Sequence, residues 1–133
     1  MDHLKNINCP LFVGNSLPIR ACDRSFFPTN QIRIYTQRGC SGIDGNIAHC
    51  IGIAKKTPLV AVLGDLTFLH DISSLFYLKQ NPLPITFIII NNKGGKIFET
   101  LPNISHTKMF TVPHNHSMGF LHHLFPQRYL KIS

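Results

Sequence analysis

The chain is short of acid. Six of its 133 residues are Asp or Glu, Glu99 is the only glutamate, tryptophan is absent, and charged residues make up only 14 %. That share is below the usual level for a small solvated domain, and it points to surface meant to be covered by another chain or domain. The longest largely apolar run, Ile85 to Ile90, is far short of the ~20 residues of a membrane helix, so no membrane partner is expected. No basic segment followed by an apolar stretch opens the chain, which argues against a signal peptide. The four cysteines, Cys9, Cys22, Cys40 and Cys50, show no Cys-x-x-Cys spacing and read as free thiols of a cytoplasmic protein. The Asn-x-Ser triplets at Asn103 and Asn115 then carry no glycan meaning. Internal repeats and low-complexity tracts are also missing.

What is present suffices for one domain spanning 1–133, since 44 % of the residues are hydrophobic. The formal charge is +7. Its basic residues are scattered, with only Lys55 and Lys56 adjacent, whereas a nucleic-acid surface carries a stripe with interleaved aromatics. The charge therefore suits anionic small molecules better, and no nucleic-acid partner is expected.

Four β-rich runs stand out: Pro10 to Val13, Ile32 to Thr36, Leu59 to Leu63 and Ile85 to Ile90. The last two are nearly continuous apolar, as in parallel strands covered on both faces. Helical patterns alternate with them. Ser16 is placed to cap a helix with Pro18 in its first turn, running to about Arg24. Ile43, Ile47, Ile51 and Ala54 mark a helix over Asp44 to Lys56. Leu69, Ile72, Leu75, Phe76 and Leu78 mark a third, stopped by Asn81-Pro82 near Gln80. This alternation predicts an α/β fold, a doubly wound, mostly parallel sheet with helices on both faces. Its core spans about 9–100. Residues 101–133 form an irregular tail in which only Met118 to Phe125 looks weakly helical. Five of the eight histidines follow Gly95. His114-x-His116 and His122-His123 give a weak zinc pattern with no cysteine nearby.

In such a sheet, ligands bind beyond the carboxyl ends of the strands. Gly14-Asn15-Ser16, Arg38 to Gly45, Gly64-Asp65-Leu66 and Asn91 to Gly95 all fall there. Glycines let backbone N–H groups approach phosphate oxygens, and a helix opening near Asp44 turns its positive end to the same crevice. The Asp65 carboxylate and the Asn92 amide oxygen are hard ligands suited to Mg²⁺ or Mn²⁺, which leave coordination sites for phosphate. Each cluster taken alone also reads as a turn or helix cap. The spacing of Gly39, Gly42 and Gly45 lacks the order of a dinucleotide fingerprint, and no acidic ribose partner follows.

A Gly-Asp pair followed, 27 residues after the aspartate, by an asparagine that closes an apolar strand resembles the thiamine-diphosphate signature. The in-order motifs Gly14-Asn15-Ser16-x-Pro18-Ile19-Arg20, Arg38-Gly39-x-Ser41-Gly42-Ile43-Asp44-Gly45, Gly64-Asp65-Leu66-x-Phe68-Leu69-His70-Asp71 and Asn91-Asn92-x-Gly94-Gly95-x-Ile97-Phe98 narrow it. Together they resemble the menaquinone-pathway synthases that make 2-succinyl-5-enolpyruvyl-6-hydroxy-3-cyclohexene-1-carboxylate. Leu66, where other thiamine enzymes usually carry glycine, favours that branch. The resemblance covers about Leu11 to His114. It implies thiamine diphosphate bound along Gly14, Asn15, Ser41, Gly42, Ile43, Gly64, Asp65, Leu66, Asn92, Gly94 and Gly95. By resemblance, Asp65, Asn92 and the Gly94 carbonyl hold the metal. Ser16, Arg20 and Arg38 match positions that contact acidic groups of 2-oxoglutarate and isochorismate, Ile43 matches the wedge that keeps the cofactor bent, and Ile97 and Phe98 match pocket-lining residues.

The chain departs from this family in several respects. The family's proteins are several times longer. Their activating glutamate belongs to an N-terminal domain, usually of another subunit, and Glu99 does not match it, so no catalytic residue is assigned here. The family also continues with a further strand and helix, so the fold here is expected to be truncated at its C-terminus, leaving apolar surface open. Lys93 stands where a third asparagine is usual, and Cys40 stands at a small-residue position. The leading reading is the cofactor module of that carboligase, acting with the N-terminal family domain or as a homo-oligomer. A truncated remnant with the fold but no catalysis, and a basic nucleic-acid-binding module, are the alternatives.

Overall fold

The computed structural model of the chain describes residues 9–25, 32–100, 102 and 107–124. The four expected strands form: β1 (Leu11–Val13), β2 (Ile34–Thr36), β3 (Leu59–Gly64) and β4 (Ile85–Ile90). They make one parallel sheet in the order β2-β1-β3-β4. Parallel neighbours need crossovers, and helices supply them. α1 (Leu17–Ser25) leads to β2, α2 (Asn46–Ala54) to β3, and α3 (Asp65–His70) with α4 (Leu75–Gln80) to β4.

Strand alternation divides the interior into two layers. On one face Phe12, Ala61 and Leu63 pack with Ile47, Cys50, Phe68, Leu75, Met118 and Leu121. On the other, Leu11, Val13 and Val62 pack with Ile19 and Cys22 of α1. Both faces of the central strands are thus covered, which is the doubly wound plan. Leu11, Phe12 and Val13 are all buried, and so are Leu59, Ala61, Val62 and Leu63.

Four local expectations need correction. β4 is not covered on both faces: Ile85, Phe87 and Ile89 pack inward, while Ile88 and Ile90 are exposed. The cause is that α1 packs over β1 and β3 and does not reach this edge strand. The third helix is broken into α3, a 3₁₀ turn at Ile72–Ser74, and α4. Asp71 sits at the break because its carboxylate is engaged elsewhere, accepting from Ala48 N–H (2.9 Å) and from Ser74 Oγ–H (2.7 Å). The second helix starts at Asn46 rather than Asp44, since Gly45 takes the left-handed conformation (φ 61°). Ser16 likewise has φ 73° instead of the extended backbone of a helix cap. The tail holds a 3₁₀ turn (Lys96–Thr100), α5 (Thr107–Thr111), which periodicity did not reveal, and α6 (Phe120–Leu124), inside the stretch read as helical. The thiols are free, as expected. No helix of the described residues is long and apolar enough to cross a membrane.

Two outcomes follow from this packing. Asp71→Ala removes the acceptor for a helix N–H and a hydroxyl, and should lower stability by roughly 1–3 kcal/mol in urea unfolding. Burial, reinforced by the charge of Asp71, pushes the Cys50 thiol up to about 12. A raised thiol pKa favours the folded state fully below the unfolded value of ~8.5. Stability measured across alkaline pH should therefore fall from about pH 9 towards 12, and Cys50→Ala should flatten that slope.

Candidate cofactor site

All the polar clusters read from the sequence lie at the carboxyl edge of this sheet. Gly14 to Ser16 follow β1, Gln37 to Gly45 follow β2, Asp65 follows β3, and Asn91 to Gly95 follow β4. The strand order reverses between β1 and β3, so the crevice of a doubly wound sheet opens there. Gly64 pairs with Ile90 across β3 and β4. Asp65 and Asn92 are therefore one and two residues past a matched pair on strands ~4.8 Å apart, the shared edge that a common cation requires.

Asp65 is the centre of this edge. It is 3 % exposed, and its carboxylate is held by three donors. Oδ1 accepts from Leu66 N–H at 2.8 Å. Oδ2 accepts from Gly94 N–H at 2.9 Å and lies 2.9 Å from His114 Nε2. A carboxylate offers about four lone-pair sites, so one, on Oδ1, is left. The Asn91 Oδ1 accepts from Lys93 N–H, which turns the loop tightly, and Asn92 within it is half-buried.

On the β1 side, Asn15 is 4 % exposed. Its Nδ2 donates to the Gly42 carbonyl (3.0 Å), tying the β1 tip to the loop before α2. Its Oδ1 is buried without a hydrogen-bond partner among the described residues, an acceptor left open to a ligand donor. Space at Gly14 is tight: a Cβ there would lie 3.0 Å from Leu63 Cδ2. The start of α2 is not wholly free for an anion, because Ala48 N–H is given to Asp71. Ser41 Oγ donates back to the Arg38 carbonyl, and Ile43 is half-buried. A cavity of about 370 Å³ opens along Thr36 to Gly42, with Asp44 and His49 on its rim.

The arginines and the post-β4 aromatics are less gathered. Arg20 Nη1 donates to the Ser16 carbonyl (3.1 Å), which holds the pair together on α1. Arg20 and Arg38 are exposed. Ile97 is half-buried, and Phe98 is exposed and packs on Phe110 (5.9 Å between centroids). Of the zinc pattern, the side chain of His122 lies outside the described residues. Among the described residues no group of three or more His, Cys, Asp or Glu side chains is placed to hold a metal. His114 instead turns inward onto Asp65. Sequence reasoning missed that role because the two lie 49 positions apart; the crowding of histidines after Gly95 was the only trace of it.

One buried carboxylate with an open lone pair, on a shared edge with Asn92, is a donor set that fits a hydrated divalent cation. Comparison with known proteins bears on the cofactor. Residues 20–127 match the family described as thiamine pyrophosphate enzyme, C-terminal TPP binding domain. The chain is 54 % identical over 95 residues to a 2-succinyl-5-enolpyruvyl-6-hydroxy-3-cyclohexene-1-carboxylate synthase of Shewanella frigidimarina, covering 69 % of this chain and 16 % of that protein. It is 42 % identical over 112 residues to the synthase of that name from a Roseiflexus species (78 % and 19 %). It is 42 % identical over 118 residues to the one from Psychromonas ingrahamii (86 % and 20 %). The chain thus spans about a fifth or less of the length of these relatives.

Gly94 offers a direct test of the edge. Its φ is 137°, and a Cβ on it would lie 2.5 Å from the Thr111 carbonyl oxygen. Gly94→Ala should destabilise the chain by roughly 1–3 kcal/mol through backbone strain and by a similar amount through overpacking, seen as a lower thermal midpoint.

Proposed function

Since the chain belongs to the thiamine pyrophosphate enzyme family, as its C-terminal cofactor-binding domain, we propose that it binds thiamine diphosphate through Mg²⁺ or Mn²⁺ as the cofactor module of a carboligase. Asp65 Oδ1, the Asn92 amide oxygen and the Gly94 carbonyl would hold the cation. Gly14, Asn15, Ser41, Gly42, Gly64, Leu66 and Gly95 would line the cofactor, and Ile43 would support it. Arg20 and Arg38, with Ser16, would receive substrate carboxylates, for which the guanidinium fork is suited. Ile97 and Phe98 would bound the acyl pocket. The reaction of the whole carboligase would be the one that the family resemblance implies: decarboxylation of 2-oxoglutarate and transfer of its succinyl unit to isochorismate. Bound thiamine diphosphate supplies the carbanion chemistry, and this chain's residues bind, orient and neutralise.

The observation that carries this reading is a buried carboxylate with one open lone pair at the tip of β3, with Asn92 two residues past the paired end of the adjacent parallel strand. The same reading makes the isolated chain inactive. Its only glutamate, Glu99, is exposed in the 3₁₀ turn after the pocket residues, so an activating glutamate would come from the N-terminal family domain.

Calorimetry with thiamine diphosphate and Mg²⁺ tests the cofactor part. The wild type should bind, and Asp65→Asn should lose at least tenfold in affinity, about 1.4 kcal/mol. No heat for the wild type, or equal heat for the variant, rejects it. Adding the N-terminal family domain in trans should then restore release of CO₂ from 2-oxoglutarate. Binding with persistent silence in that assay favours a cofactor-binding remnant.

A further inference from the structure

The sequence motifs assign no role to the stretch after α5, yet it closes over the edge that carries Asp65. Gly95 N–H donates to the Thr111 carbonyl, and His114 N–H donates to the Lys93 carbonyl at 3.3 Å. Val112 between them has φ 39°, costly for a β-branched residue and held only because both neighbours are anchored. This strap delivers the His114 imidazole to Asp65 Oδ2, where both side chains are nearly sealed, 6 % and 4 % exposed.

The tautomer is fixed by the second ring nitrogen. His116 N–H donates to His114 Nδ1 at 3.2 Å. Nδ1 is therefore an acceptor, and the ring proton is on Nε2, donating to Asp65. With the Gly94 N–H, this fills Oδ2 and fixes the carboxylate plane. The His116 ring stacks on that of His114 (5.4 Å, 22° between planes) and holds it from the solvent side.

We propose that His114 is a positioning residue for the cation site: it locks the Asp65 carboxylate so that a single Oδ1 lone pair is presented to the metal. The inference rests on the cofactor reading above. Outer-shell partners of this kind restrict a ligand's rotation and typically govern metal affinity by about 10- to 100-fold.

The test uses the full chain, thiamine diphosphate and Mn²⁺ followed by electron paramagnetic resonance. Relative to wild type, His114→Ala should raise the Mn²⁺ dissociation constant about 10- to 100-fold. His114→Gln, whose amide also donates, should recover most of it. Nitrogen-15 imidazole spectra of the metal-free wild type should show His114 as the Nε2–H tautomer. An unchanged constant in His114→Ala, tighter Mn²⁺ binding in that variant, or an Nδ1–H tautomer overturns the inference. A wild-type chain that takes up no Mn²⁺ instead overturns the cofactor reading itself, while the tautomer is read without metal.

Discussion

One carboxylate organises this molecule. Asp65 ends a fully apolar strand, so its charge is carried into the protein where isolated ionised groups are unstable. Its environment answers that with three N–H donors drawn from three places in the chain: the next residue, the loop after β4 and the strap after α5. Each of those donors needs a backbone fixed in turn, which is why Gly94 cannot carry a side chain and why the strap lies against it. The arrangement leaves one acceptor position unspent at the sheet edge, and that position is the one the proposed cation would take.

The sheet makes this placement inevitable once its order is set. In a parallel ladder every strand points its carboxyl end the same way, so each strand-to-helix loop contributes to one edge. The order β2-β1-β3-β4 puts β1 and β3 at the centre, and the residues that follow them include two buried polar side chains, Asn15 and Asp65. Asn15 binds the Gly42 carbonyl, which ties the tip of β1 to the loop after β2 on one side of the crevice, while Asp65 stands on the other.

Strand and helix periodicity made the architecture legible, because it reports burial: β1 and β3 are covered on both faces and read so. β4 misled for the same reason. Its isoleucines are as apolar as those of a central strand, and nothing in the sequence says that Ile88 and Ile90 stay exposed. The break at Asp71 was hidden because its partners, Ala48 and Ser74, are set by tertiary packing and not by local propensity. Asp65 and Asn92 were legible through their spacing and strand-end positions. His114 was not, since a hydrogen bond across 49 positions leaves no periodic mark.

The distribution of backbone strain is independent of any motif and points to the same edge. Among the described residues, positive φ occurs at Ser16, Gly45, Lys93, Gly94 and Val112. The first follows β1, the second opens α2, the next two follow β4, and the last is in the strap lying on them. Three of the five are not glycine, and each such residue costs on the order of 1–3 kcal/mol that the rest of the fold must offset. A sheet built only for stability would relax these turns with glycine or longer loops. Their retention on one side of the molecule, around one buried carboxylate, is what an edge shaped to hold a ligand requires.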